Sequence, residues 1–146
     1  MAKSLVKLSV NDCIRVYSRL TYAALTGSYV NAADLSNVLF GFYESKLQAR
    51  HLQAIDDALV WCFWFDLANG RKPLSALFIR GKALTPSPKC IDMCIEAKLY
   101  ACEERSDDND MRCWHSIVCS IFSAYDATKI KLERSDDYCK PEKSSD

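Results

Sequence analysis

The amino-acid sequence predicts an all-α protein, a single compact bundle of five to six helices. Glycine and proline are scarce, with four of each among 146 residues, whereas a β protein with many hairpins needs more turn residues. Alanine and leucine together number thirty, against nineteen valine, isoleucine and threonine residues, and this balance favours helix. The length fits one domain, which we assign to residues 1–134, followed by a polar tail over residues 135–146.

The first two helices are predicted from the residues at their ends. Ser9 is a suitable N-cap for a helix over Val10–Thr26, and Gly27 is suited to close that helix. Asn31, with Asp34 three residues later, marks the start of a second helix. Apolar residues follow each start at helical spacing, so each helix has one face to bury.

The third helix is predicted to be the most apolar one. It is expected to begin at a capping box formed by Ser45 and Gln48 and to end just before Gly70. Residues 60–67 are apolar apart from Asp66. A helix that is apolar all round is usually central and buried, so we expect this helix at the centre of the bundle.

The aromatic residues of the third helix allow a second interpretation. Large aromatic side chains are enriched at interaction hot spots. Trp61, Trp64 and Phe65 would then form an exposed aromatic interface, either for a partner protein or for a homodimer. The two interpretations differ in whether these three side chains are buried.

Three more helices are predicted in the second half of the chain. A short one covers residues 73–80, a fifth follows the N-cap Ser87 over residues 88–104, and a sixth covers residues 110–132. The polar turn between the last two makes them an antiparallel C-terminal helical hairpin.

Acidic side chains concentrate in this hairpin. The whole chain carries 19 basic and 19 acidic residues, but residues 90–146 hold thirteen acidic and eight basic ones. Such asymmetry suits docking onto a charged partner. The candidate partner-binding residues are the acidic ones on the face and tip of the hairpin: Asp92, Glu96, Glu103, Asp107, Asp108 and Asp110.

A basic region gives the first alternative function. Arg71, Lys72 and Lys82 lie within residues 71–89, and they would contact phosphates in a helical regulator that binds nucleic acid. However, no run of five to eight basic residues is present. The short helix over 73–80 is also mostly apolar, unlike a recognition helix, so we rank direct nucleic-acid binding below protein binding.

Cysteine and histidine give the second alternative. Cys90 and Cys94 are four residues apart in the fifth predicted helix, and His115 and Cys119 are four apart in the sixth. Two such pairs on neighbouring helices could hold a tetrahedral zinc ion or pair a thiol with a histidine. The usual C-x-x-C zinc spacing is missing. Our prediction is therefore reduced cysteines, no metal site and no cofactor.

The function predicted from these patterns is protein binding without catalysis. The sequence contains no nucleophile elbow, no zinc-protease motif and no phosphate loop, so we do not expect an enzyme. We expect a regulator, adaptor or inhibitor, of the kind found among accessory proteins of phages and mobile elements. Its acidic face would occlude a basic, nucleic-acid-binding groove on another protein.

A cytoplasmic location is expected, with no membrane partner. The longest run without charge, residues 20–33, is too short to span a bilayer. The first ten residues have no unbroken apolar stretch of the kind that a secretory signal contains. In that compartment the eight cysteines would be reduced.

Overall fold

The fold is built mainly from helices. The computed structural model describes residues 7–41, 47–80, 84–100 and 104–126. Within these ranges the chain forms five α-helices and one 3₁₀ helix, which confirms the predicted fold class in outline, and it adds a small two-stranded sheet that was not predicted. In chain order the elements are α1 (Val10–Thr26), α2 (Ala32–Leu39), α3 (Ala49–Ala68), the 3₁₀ helix (Leu74–Leu77), β1 (Ile79–Arg80), β2 (Thr85–Pro86), α4 (Pro88–Glu96) and α5 (Asp107–Ala124).

Helix α1 has the predicted bounds because residues next to both ends close it. The Ser9 hydroxyl accepts the Asp12 N–H, and the Asp12 carboxylate accepts the Ser9 N–H, which forms a capping box. At the other end Gly27 adopts a φ of 68°, and the Ser28 N–H donates to the Ala23 carbonyl. These bonds satisfy groups that a helix end otherwise leaves unpaired.

Helices α2 and α3 confirm one predicted N-cap and correct another. Asn31 caps α2 in a reciprocal pair with Asp34, as predicted. Gln48, which we placed three residues inside the third helix, is instead the N-cap of α3, and its N–H donates to His51 Nδ1 at 3.0 Å. Ser45 lies outside the described residues.

The core lies where α3 packs against α1, α2 and the 3₁₀ helix. Buried side chains from all five α-helices form one cluster, and its large members include Leu20, Phe63 and Trp114. The indole N–H of Trp114 donates to the Ala76 carbonyl at 2.7 Å, so α5 is joined to the 3₁₀ helix. Full burial of a leucine or phenylalanine side chain, such as Leu20 or Phe63, stabilises a fold by about 1.5–3 kcal/mol.

The segment 73–80 is not the α-helix that we predicted. Its first part, Leu74–Leu77, is a 3₁₀ helix, and Ile79–Arg80 then pairs antiparallel with Thr85–Pro86. The backbone of Val30 bonds to this segment as well. The backbone groups of this segment pair with the nearby β2 and with Val30, which lies much earlier in the chain, so the local sequence alone does not encode the strand.

Helix α4 begins at its predicted N-cap and ends early. Ser87 caps it, but the helix stops at Glu96, eight residues before the predicted end. Lys98 adopts a φ of 63°, and the Leu99 N–H donates back to the Cys94 carbonyl at 2.8 Å. This is the Schellman pattern of helix termination, with lysine at the position that glycine usually occupies.

The predicted antiparallel hairpin is not confirmed. Helix α5 begins after the N-cap Ser106, three residues earlier than expected. It packs mainly on the 3₁₀ helix, on α1 and on β2 rather than on α4. It ends at Ala124 with Tyr125 as its C-cap, so the predicted helix over 110–132 stops early as well. Residues 127–132 of that prediction and the polar tail 135–146 lie outside the described residues.

Candidate functional site

A groove of about 380 Å³ lies between β2, the start of α4 and the start of α5. The Ser87 hydroxyl accepts the Cys90 N–H at the start of α4, and the Ser106 hydroxyl accepts the Asn109 N–H at the start of α5. Since both helices begin here, acidic residues from their early turns meet at one place. This acidic groove is lined by Thr85, Pro86, Pro88, Ile91, Asp92, Arg105, Asp107, Asp110 and Met111.

Only part of the negative charge of the acidic groove is compensated by a cation among the described residues. Arg105 donates to both oxygens of Asp110 at 3.0 Å, and the Tyr100 hydroxyl donates to the same carboxylate at 2.5 Å. Arg105 first, and then Tyr100, lower the pKa of Asp110. Asp92 and Asp107 are exposed and have no cation within ion-pair distance in the described part of the chain. Two of the three carboxylates are therefore available to a partner.

The other predicted acidic residues do not line this groove. Glu96 and Asp108 are exposed at the surface of α4 and α5. Glu103 lies outside the described residues. Asp107 and Asp108 also occupy the first turn of α5, where negative charge stabilises the positive end of the helix dipole. Stabilisation of the helix therefore explains why acidic residues occur here, so their position alone does not indicate a binding site. The groove is the additional observation that supports one.

The aromatic candidates form a partly exposed layer on α3. The Trp61 and Phe65 rings stack with their centroids 5.0 Å apart, and Tyr17 of α1 meets Phe65 edge-on at 5.2 Å. Trp64 and Phe65 each keep 37% of their surface exposed, and Trp61 is half-buried. Trp64 does not join that stack but meets the ring of the buried Phe63 edge-on at 5.1 Å. The three candidate rings are thus neither a buried core nor a fully exposed face.

A fully buried carboxylate, Asp66, was not among the predicted site residues. It accepts hydrogen bonds from the Tyr17 hydroxyl at 2.5 Å, from Arg71 Nε at 3.0 Å and from the Leu74 N–H at 2.8 Å. Burial above all, and then the bond to Asp66, raise the pKa of Tyr17. A buried carboxylate with three donors joins α1, α3 and the 3₁₀ helix. Its only signal in the sequence was a lone charge within an apolar run.

The two described residues among the basic ones that we assigned to nucleic-acid binding, Arg71 and Lys72, have different surroundings. Arg71 pairs with Asp66, and its guanidinium lies over the Phe65 ring at 5.2 Å from the centroid. Lys72 lines a different groove, along α5. Lys82 lies outside the described residues. A nucleic-acid interface needs cations gathered on one face. Arg71 is held against Asp66, whereas Lys72 lines the groove along α5.

The four residues of the alternative zinc site are separated by burial. Cys90 and Cys94 are buried, whereas His115 and Cys119 are exposed. The hydrogen bond with Cys90, followed by burial, raises the pKa of Cys94, which favours the thiol over the thiolate that binds metals. In the described part of the chain no three His, Cys, Asp or Glu residues are arranged to hold a metal ion.

A larger cavity of about 800 Å³ opens between α2, α3, β1 and the start of α4. No pattern in the sequence pointed to it. Its apolar lining includes Ile55 and Phe78, and Asp56, Arg80 and Lys89 line it as well. Burial raises the pKa of Asp56, and Lys89 opposes that shift. The volume falls in the range of small-molecule sites, but charges of both signs favour no particular ligand class.

The remaining observations concern membranes and relatives. Among the described helices, none combines the length and the apolar character needed to cross a membrane. Comparison of this chain with protein-family models, with curated proteins and with solved structures gave no match.

Proposed function

We propose that this protein is a small, non-catalytic regulator that binds another protein by taking a basic side chain into the acidic groove. One observation carries this proposal. Asp92 of α4 and Asp107 of α5 line the same groove, and neither has a cation within ion-pair distance in the described residues. Three of the six acidic residues that we predicted for partner binding, Asp92, Asp107 and Asp110, line this groove, which supports the proposal.

The walls of the acidic groove suit a lysine or an arginine. Ile91 is buried and Met111 is half-buried, and both line the groove beside the carboxylates. The methylene stem of a long basic side chain packs on apolar surface while its charged head stays with the anions. The groove therefore offers both contacts that such a side chain makes.

The size of the attraction between the groove carboxylates and a bound cation indicates how much it can add to affinity. Unit charges 4 Å apart near a protein surface interact by about 4 kcal/mol, but solvation and side-chain entropy reduce the net gain of an exposed pair to about 1 kcal/mol or less. Charge complementarity therefore contributes mainly to association rate and specificity. The exposed Glu96 and Asp108 extend the same negative field beyond the groove.

A partner of this kind has its own cationic surface, as a nucleic-acid-binding protein does. Lysine and arginine side chains that contact phosphates would instead enter the acidic groove, so the two ligands would compete. The regulatory effect that we propose is this occlusion of a basic surface.

The test is a pull-down from lysate of the source cells with the charge-reversed variants Asp92→Lys and Asp107→Lys, alone and combined. Each capture is run at low and high salt, with and without nuclease. The matched control is Asp57→Lys, which makes the same charge change on an exposed part of α3. Circular dichroism of each variant shows that the fold is kept.

We expect a nuclease-resistant protein that is captured at low salt, lost on double reversal and retained by Asp57→Lys. High salt should weaken its capture, because exposed charges more than a Debye length apart are screened. Capture that survives the double reversal would exclude the acidic groove as the binding site. Capture that disappears with nuclease would instead support direct nucleic-acid binding.

A further inference from the structure

A second groove, along the middle of α5, has the opposite charge. It encloses about 240 Å³ beneath the turn that follows α4. Its lining is formed by Lys72, Leu99, Arg112, Cys113, Ser116, Ile117 and Ser120. We call it the cationic groove, since two of these side chains are positively charged and no lining residue is acidic.

The two cations of this groove are not paired within the protein. No carboxylate lies within ion-pair distance of Lys72 or Arg112 in the described part of the chain. Arg71, next to Lys72 in sequence, gives the contrast, because its guanidinium is held by the buried Asp66. Two unpaired cations around a concave surface favour an anionic ligand.

The spacing along α5 places the polar groups of the groove on one face. Arg112, Ser116 and Ser120 are four residues apart in turn, which brings them above one another on a helix. The Ser120 hydroxyl donates to the Ile117 carbonyl at 2.8 Å. The exposed Ser116 hydroxyl has no hydrogen-bond partner among the described residues, so it remains able to donate to a ligand.

The floor of the groove is apolar and ordered by its own contacts. Ile117 is buried and Leu99 is half-buried. The Cys113 sulfur donates to the Leu99 carbonyl at 3.7 Å, which ties α5 to the segment after α4. An apolar floor lowers the effective dielectric next to it, which strengthens the attraction between the two cations and an anion that rests on it.

We propose that the cationic groove binds the phosphate group of a small phosphorylated molecule. The planar guanidinium of Arg112 matches the geometry of phosphate oxygens, and Lys72 adds a compact charge. Together the two cations balance the charge of about −1.5 to −2 that a phosphomonoester carries near pH 7. This binding is independent of the acidic groove.

The size of the groove limits the ligand. Its volume corresponds to roughly eight water molecules at about 30 Å³ each. It therefore has room for a phosphate with a short attached group or for a second phosphate. A nucleic-acid backbone, whose phosphates are diesters with a single charge, matches the two unpaired cations less well.

The test is calorimetric titration of the full chain with inorganic phosphate, glycerol 3-phosphate and pyrophosphate as separate probes. The variants are Lys72→Gln, Arg112→Gln and the double variant, and the matched control is Lys7→Gln, which neutralises an exposed lysine that lines neither of the two grooves nor the larger cavity. Because Lys72 and Arg112 are exposed, we expect all of these variants to fold, as thermal unfolding without ligand will show.

We expect binding of at least one phosphate probe and a loss of roughly tenfold or more in affinity for each single variant, since a hydrogen bond to a charged group contributes about 1.5–3 kcal/mol. Saturating probe should raise the unfolding temperature of the unaltered chain but not that of the double variant. The three probes separate free phosphate from a phosphomonoester and from a diphosphate as the preferred chemistry.

Three results would overturn the proposal. One is the absence of heat and of thermal stabilisation with all three probes. Another is an affinity that the double variant leaves unchanged, or that Lys7→Gln reduces equally. The third is tighter binding of a short oligonucleotide with a salt dependence that reports several phosphate contacts, which would assign the groove to a nucleic-acid interface instead.

Discussion

Asp66 and Asp107 are both aspartates near helix ends, but their surroundings differ. Asp66, in the last turn of α3, is fully buried and accepts three hydrogen bonds. Asp107, in the first turn of α5, is exposed and has no side-chain partner in the described residues. Burial of a carboxylate is costly unless donors replace its water. A count of carboxylates therefore does not separate those that stabilise the fold from those that could bind a partner. Burial and pairing make that distinction.

The same contrast separates two regions of the molecule. Around α1 and α3, the charged Asp66 and Arg71 satisfy each other and hold the fold together. Along α4 and α5, Asp92 and Asp107 on one groove, and Arg112 on another, have no counter-ion in the described residues. The first region accounts for stability, and the second is where we expect ligands.

Among the variants that test this comparison, we expect Asp66→Ala to lower the free energy of unfolding the most. The substitution leaves the Tyr17 hydroxyl, the Arg71 guanidinium and the Leu74 N–H without their acceptor. The Leu74 N–H and the Tyr17 hydroxyl then lack a partner inside the protein, and an unsatisfied buried polar group typically costs about 1–3 kcal/mol, whereas the exposed Arg71 is hydrated instead. Urea denaturation, followed by circular dichroism, measures the loss in free energy of unfolding.

The matched control for that variant is Asp107→Ala. It removes a favourable charge from the first turn of α5, which is typically worth about 0.3–1 kcal/mol. If the two variants lose similar stability, the distinction between a structural and an available carboxylate is wrong.

Elements whose ends are closed by nearby residues were predictable from the sequence. Helix α1 matched its predicted bounds because Ser9 and Gly27 close it. Helix α4 ended before its predicted end, because Lys98 adopts the left-handed conformation that usually requires glycine. A prediction that relies on glycine to mark the end of a helix misses this residue. The strand Ile79–Arg80 was missed for another reason, since it depends on pairing with β2 and with the backbone of Val30, which lies much earlier in the chain.

The two candidate sites were predictable from the sequence only as residue types. Charge asymmetry pointed to Asp92 and Asp107, and both line the acidic groove. The groove itself was not predictable, because β2 supplies one wall and its position depends on pairing with β1. The cationic groove was missed because Lys72 and Arg112 are 40 residues apart and meet only through the packing of α5.

The next largest effect is predicted for Trp114→Phe, which tests how the two regions are joined. The indole N–H bonds to the Ala76 carbonyl at 2.7 Å, and Trp114 is 2% exposed. The variant leaves this carbonyl unpaired in the core, which typically costs about 1–3 kcal/mol, and it also leaves a void. Urea denaturation monitored by circular dichroism gives the loss in free energy of unfolding.

Trp64→Phe makes the same chemical change at a side chain that is 37% exposed. We expect it to change the free energy of unfolding by no more than about 0.5 kcal/mol. An equal loss in the two tryptophan variants would show that the bond to Ala76 does not anchor α5.

The smallest effect on stability is predicted for Asp110→Asn. Asp110 lines the acidic groove but is also paired with Arg105 and Tyr100, so it is intermediate between a structural carboxylate and an unpaired one. Arg105 and Tyr100 lower the pKa of Asp110 in the folded state, so this carboxylate stabilises the fold above its unfolded pKa of about 4. That contribution is lost as the pH falls through the lowered, folded pKa. Unfolding free energies measured across this acidic range should therefore fall less steeply for Asp110→Asn than for the unaltered chain. The control Asp108→Asn removes an exposed carboxylate with no side-chain partner in the described residues. If both variants flatten the acid slope equally, Asp110 is as available to a partner as its neighbours, and the acidic groove has three free carboxylates rather than two.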